Sequence, residues 1–193
     1  MTRDMKGVLL YVIGPSGSGK DSLISYARVT LENDSDVVFA HRYITRPHDA
    51  GGENHVALSE AEFNSRLTRD LFFLHWRSHG MSYAIGCEVN MWLEKGLTVI
   101  LNGSRAYLSQ ASQKYPELVP VLIEVSSDIL RNRLHARGRE STADIQSRLL
   151  RAEQFKAIQH PKLLRFYNDA PLLETGPVFV ALIKSKTHVD ARV

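Results

Sequence analysis

Nine residues, GPSGSGKDS from Gly14 to Ser22, carry the clearest chemistry in the chain. They approach the phosphate-loop pattern G-x-x-x-x-G-K-[ST], in which backbone N–H groups cradle phosphates, the lysine reaches the outer phosphates and the hydroxyl meets Mg²⁺. Gly14, Gly19 and Lys20 fit, and Pro15, Ser16, Gly17 and Ser18 fill the turn between them. Asp21 stands where a hydroxyl is expected, and Ser22 follows it. Glycines let backbone approach an anion closely, and a helix beginning near Gly19 would direct N–H groups and partial positive charge at it. The expected cofactors are ATP and Mg²⁺, with Gly14 to Ser22 as the nucleotide-binding residues. The bland alternative is a glycine-rich turn with an exposed lysine. A phosphate loop by itself does not choose among kinase, hydrolase, switch and motor.

Such a loop needs a strand before it and a helix after it. The run VLLYVI at 8–13 predicts the buried strand, and the segment from Gly19 to about Leu31 predicts the helix. Further apolar runs at 37–40, 97–102, 119–125 and, more weakly, 163–168 predict strands. Helical spacing marks Ser59–Leu67, Glu88–Lys95, Ser104–Tyr115, Asp128–Arg137 (closed by Gly138) and Ser141–Phe155. Strands alternating with helices predict an α/β fold of P-loop NTPase type, a parallel sheet flanked by helices. No repeat or linker divides the chain, so residues 1–193 are expected to form one kinase domain. Two excursions interrupt the alternation: irregular pieces at about 41–85, and an arginine-dense stretch at about 137–151. In a small kinase these would be a substrate flap and a lid; otherwise they are surface loops.

Composition narrows the class. Of 193 residues 44% are hydrophobic and 23% charged, which suits a globular domain with a real core. Lys and Arg number 24 against 21 Asp and Glu, a formal charge of +3 that does not argue for nucleic acid. No nucleic-acid motif accompanies the basic pI of 9.0. The one cysteine, Cys87, leaves no internal disulfide and no cysteine zinc site. A cytoplasmic location is expected, and the six-residue apolar start is too short for a membrane span. Oligomeric state is left open.

From about residue 7 to 185 the chain resembles the guanylate kinase family. The stretches that carry the resemblance are GPSGSGK, TRP with GGE at 45–53, LSEAEF at 58–63, FLHW at 73–76, HGMSYAIG at 79–86, TVIL at 98–101, RLHARGRE at 133–140, IQSRLLRA at 145–152 and YND at 167–169. The resemblance implies ATP-dependent phosphoryl transfer to a bound phosphate, with a flap and an arginine lid. Arg46 and Tyr83 would hold the accepting phosphate, and Asn168 would line the adenine. Lys20, Arg137 and Arg148 are the expected catalytic residues, because guanidinium groups closing over a transferred phosphoryl spread its charge. Arg133, Arg137, Arg139, Arg148 and Arg151 cluster around Gly138, which favours a lid over the alternative of a solvated helix face.

Departures from the motif bear on the substrate. Where guanylate kinases place a serine, a glutamate and an aspartate pair around guanine, this chain has Arg42, His75 and the segment Asn102 to Ser104. Guanine's N–H donors need acceptors, and cations have replaced them. A small sugar with phosphate at both ends suits Arg42, Arg46, His75, Tyr83, Ser104 and Arg105 as substrate-binding residues, since arginine grips such groups bidentately. These departures resemble the branch of the family that phosphorylates ribose 1,5-bisphosphate to 5-phosphoribosyl 1-diphosphate in phosphonate catabolism. Two rivals remain: a nucleoside monophosphate kinase with altered base choice, and a non-catalytic guanylate-kinase-like binding module. Asp21 is the expected metal residue, replacing a carboxylate that the family has where Asn102 stands; the alternative is that it only caps its helix or points away while Ser22 takes the hydroxyl role.

Overall fold

A computed structural model describes residues 7–49, 55–78, 80–136 and 142–187. The first half runs β1 (Val8–Ile13), α1 (Lys20–Thr30), β2 (Val37–Phe39), β3 (Arg42–Ile44), β4 (His55–Ala57), α2 (Glu60–Leu67), β5 (Phe72–Ser78), β6 (Met81–Gly86) and α3 (Glu88–Glu94). The second half runs β7 (Thr98–Asn102), a 3₁₀ turn (Arg105–Tyr107), α4 (Leu108–Lys114), β8 (Val119–Glu124), α5 (Ser127–Ala136), α6 (Thr142–Lys156), β9 (Leu164–Tyr167) and α7 (Leu172–Thr187).

The apolar runs pair in parallel as a five-stranded sheet of order β2-β7-β1-β8-β9. Strand β1 is central, and its alternate residues serve two cores. Leu9, Tyr11 and Ile13 pack with Val99, Leu101, Val89, Leu93, Leu108 and Ala111 on the side of α3 and α4. Leu10 and Val12 pack with Ile100, Leu23, Ala27, Phe179 and Ile183 on the side of α1 and α7. Burial on both faces explains why these strands read as continuous apolar runs. In such sheets ligands bind beyond the carboxyl ends of the strands, where the chain turns to opposite faces. Strand β1 delivers Gly14 there, and the parallel register Val12↔Asn102 brings the end of β7 beside it.

The described residues between 42 and 86 are more regular than their sequence suggests. They form a second, four-stranded sheet of order β4-β3-β6-β5, antiparallel except for β3 with β4. Helix α2 covers one face through Phe63, which packs with Leu58, Phe72 and Ala84. Ser59 caps that helix by accepting from the Glu62 N–H at 3.1 Å. The other face presents Leu74, Trp76 and Ile85 to the core of the main sheet. Short strands with polar interruptions hide this alternation in the sequence.

Two other expectations change. The segment expected to be a helix over Ser104–Tyr115 opens as the 3₁₀ turn and becomes α-helical only from Leu108. Helix α7, with Pro177 inside it, was not among the expected helices. Gly138, expected to close α5, lies outside the described residues.

Candidate active site

The turn after β1 is shaped by what its glycines touch. Gly17 and Gly19 have φ of 92° and 82°, in the left-handed region open mainly to glycine. A Cβ on Gly19 would lie 2.5 Å from Asn168 Nδ2, and one on Gly17 would lie 2.7 Å from a Leu130 methyl. Asn168, 4% exposed, donates to the Ser18 carbonyl at 2.7 Å, and Arg133 Nη1 donates to the same oxygen at 3.3 Å. Asn168 is therefore buried beneath the loop and fixes its backbone. Burial lowers the Arg133 pKa from its ordinary value, with nearby Asp169 opposing the shift.

Helix α1 begins at Lys20, so its free N–H groups face the turn. The Lys20 side chain, 13% exposed, donates from Nζ to Asp21 Oδ1 at 2.7 Å and also to Asn102 Oδ1. The Asn102 amide in turn donates to Asp21 Oδ1 at 2.8 Å. Asp21, read in the sequence as a departure from the loop pattern, thus sits against the residue that ends β7. Desolvation raises its pKa, but Lys20, Arg42 and the Asn102 amide outweigh that effect and hold the carboxyl below its ordinary value. Ser22 is exposed one residue further along α1, facing Tyr26 and Leu172.

A cleft of about 580 Å³ opens beside this loop. Gly14, Pro15 and Ser16 form one wall, and Arg42, Arg46, Trp76, Ser78 and Tyr83 of the second sheet form another. Gly103, Ser104, Arg105 and Ala106, together with Arg148, Arg151 and Phe155 of α6, complete the lining. Five arginines line it, and none of its lining residues among those described is Asp or Glu.

Each arginine is oriented by a neighbour, Arg151 through its Nε, which donates to the Ser147 carbonyl at 3.3 Å. The Arg42 guanidinium lies 5.3 Å from the centre of the Tyr83 ring, which stacks on Trp76 at 5.5 Å and 5°. Arg46 Nη2 lies 3.2 Å from His55 Nδ1. Arg105 donates to Gln154 Oε1 at 3.1 Å and lies 4.6 Å from the Phe155 ring centre. Arg148 Nη1 donates to Ser16 Oγ, linking α6 to the loop. Ser104 is held by its backbone. The Tyr11 hydroxyl donates to the Ser104 carbonyl at 3.0 Å and accepts from the Ser104 N–H at 2.9 Å. Burial pushes the Tyr11 pKa up to about 12 despite that hydrogen bond. Gly103 lies against the same ring, where a Cβ would come within 2.3 Å of it.

His75 is not part of this arrangement. It pairs with Ala84 across β5 and β6 and shares its face, the one under α2, where Arg77 also reaches Glu60 at 3.8 Å. The exposed imidazole is turned away from the cleft, while Trp76 and Ser78, of opposite parity, face it. Neither Trp76 nor Ser78 was among the candidate residues of the sequence; strand parity finds both once 72–78 is known to be a strand. Arg137 and Arg139 lie outside the described residues.

The family model for guanylate kinase matches residues 6–165. The chain belongs to the guanylate kinase family. It is 58% identical to the ribose 1,5-bisphosphate phosphokinase PhnN of Desulfomicrobium baculatum, over 93% of this chain and 95% of that one. Its identity to the protein of that name from Thiobacillus denitrificans is 54%, over 92% and 93%. The crystal structure of guanylate kinase from Anaplasma phagocytophilum superposes with a TM-score of 0.68, covering 97% of this chain and 90% of that one at 16% identity, which shows the shared fold. Membership of this family implies a nucleotide at the loop.

Proposed function

We propose that this protein transfers the terminal phosphoryl group of ATP to the 1-phosphate of ribose 1,5-bisphosphate, giving 5-phosphoribosyl 1-diphosphate and ADP. The observation that carries the reading is the cleft beside the loop, with five arginines and no carboxylate among its described lining residues. A guanine edge presents N–H donors, which that lining would leave unmatched. Two phosphates on a small sugar match it at both ends. The relatives at more than half identity carry the name of this activity.

On this reading Gly14 to Lys20 bind the nucleotide phosphates through backbone N–H groups and the Lys20 ammonium. Arg46 and Tyr83 hold the accepting phosphate, and Arg42, Ser104 and Arg105 hold the distal one. Arg148, already joined to Ser16 at the loop, neutralises charge on the moving phosphoryl group; Arg137, expected beside it from the sequence, lies outside the described residues. The second sheet is the flap. The accepting phosphate is ionised at neutral pH, so no side chain need remove a proton; positioning and charge supply the catalysis. Among the described residues no cluster of three His, Cys, Asp or Glu could cage a metal. The oxygens of Asp21 suit Mg²⁺ in another way, since that ion is commonly held by one or two carboxylates together with substrate phosphates. When bound, Mg²⁺ supplies charge neutralisation at the transferring group.

The test is product identification after incubation with ATP, Mg²⁺ and either acceptor alone. Ribose 1,5-bisphosphate is expected to yield one ADP per sugar diphosphate. Absence of ADP with that acceptor, alongside GDP formation from GMP, would return the site to nucleotide kinases.

A further inference from the structure

We infer that Asp21 makes nucleotide binding depend on the divalent ion, so that the loop discriminates against metal-free ATP as well as binding its metal complex. The inference rests on the proposed reading of Gly14 to Lys20 as the nucleotide site, and on the contacts around the carboxylate. A phosphate-loop lysine serves by meeting the outer phosphates. Here its Nζ is held 2.7 Å from Asp21 Oδ1, and the Asn102 amide donates to the same oxygen at 2.8 Å. The carboxylate is thus fixed beside the ammonium, at the start of the helix whose N–H groups face the loop.

Metal-free ATP entering this loop meets two penalties. Its phosphates must compete with Asp21 for Lys20, and they bring negative charge beside a carboxylate that is held ionised. A divalent ion travelling with the phosphates removes both, because it lies between like charges and leaves the ammonium free to be shared. The Asp21 side chain is 54% exposed, which gives an incoming ion access to the carboxylate. The Asn102 amide makes a second device possible. Exchanging the pair, Asp21→Asn with Asn102→Asp, keeps the total charge and both hydrogen-bonding partners, and moves the carboxylate from the helix to the end of β7.

The experiment is calorimetric titration of the full chain with ATP in EDTA and with ATP in excess Mg²⁺, without a sugar acceptor, so that binding alone is read. For the parent, Mg²⁺ is expected to tighten binding by about ten- to a hundredfold, the worth of one charge-assisted contact. Asp21→Asn is expected to bind metal-free ATP more tightly than the parent does and to lose most of the Mg²⁺ effect. The exchanged pair is expected to regain it, which also shows that the helix start tolerates the change. A parent that binds ATP equally in EDTA and Mg²⁺, or an Asp21→Asn variant that keeps the full difference, overturns the inference while leaving the loop as a nucleotide site. An exchanged pair that stays insensitive to Mg²⁺ overturns the claim that the charge, wherever it sits across this contact, sets the dependence. A parent that binds neither form overturns the nucleotide reading itself.

Discussion

At the scale of single residues, the structure separates two side chains that the sequence placed together. Arg42 lines the cleft with its guanidinium over Tyr83, whereas His75 is exposed on the α2 face of the second sheet. Arg42→Ala is expected to weaken use of the sugar bisphosphate by about ten- to a hundredfold, the worth of one charge-assisted contact, and to leave ATP affinity within a few fold. His75→Ala is expected to leave both unchanged. Steady-state KM values for each substrate check the pair, and a large loss with His75→Ala would contradict the assigned face. The loop was legible because its pattern is contiguous: glycines, lysine and flanking elements follow one another in the chain. Arg42 was legible through its spacing from Arg46 in a family motif. The face of His75 was not, because it depends on the parity of a strand whose register is set by pairing with β6, and shifts between Phe72 and Leu74. The contact that Asn168 makes was not legible, since only the folded chain shows its amide beneath the Ser18 carbonyl, 150 residues away.

At the scale of elements, β1 does more than deliver the loop. Its Tyr11, fully buried, fixes the turn after β7 through both backbone groups of Ser104. The sequence showed the strand but not this link, since a tyrosine in an apolar run reads as core. The buried phenol makes a prediction about alkaline stability. Its pKa of about 12 lies above the ordinary value of 10.0, so the folded state keeps a proton that the unfolded state loses. The contribution is complete below pH 10 and disappears as pH rises toward 12, amounting to about 2–3 kcal/mol. Tyr11→Phe is expected to cost about 1–3 kcal/mol near neutrality by leaving the Ser104 N–H without its acceptor, while the Ser104 carbonyl keeps the Tyr107 N–H at 3.1 Å. It is also expected to flatten the decline in stability above pH 10, read by urea unfolding at several pH values. Parallel declines for parent and variant would contradict this account of the strand. Helix α7 illustrates the opposite limit of the sequence: Pro177 lies inside it, and its apolar face is recognisable only against α1 and the sheet.

At the scale of the whole molecule, a formal charge of +3 conceals a strong local asymmetry, because five arginines converge on one cleft. Screening acts on such a concentration. Raising ionic strength from about 0.05 to about 0.2 M is expected to raise the KM for the bisphosphate several-fold, and Arg42→Ala is expected to blunt that dependence. A KM insensitive to salt would mean that the arginines do not set substrate capture. Among the described residues no helix is long and apolar enough to cross a membrane. The parallel sheet was legible from the alternation of apolar runs with helical spacing, whereas the cleft arises from the meeting of two sheets and a helix distant in sequence. The central claim is that this cleft selects a doubly phosphorylated sugar over a nucleotide. The most direct measurement puts both acceptors, ribose 1,5-bisphosphate and GMP, at equal concentration in one reaction with ATP and Mg²⁺, and follows the products by phosphorus NMR, so that their ratio reads relative kcat/KM. The account predicts sugar diphosphate in large excess over GDP; GDP in equal or greater amount would contradict it.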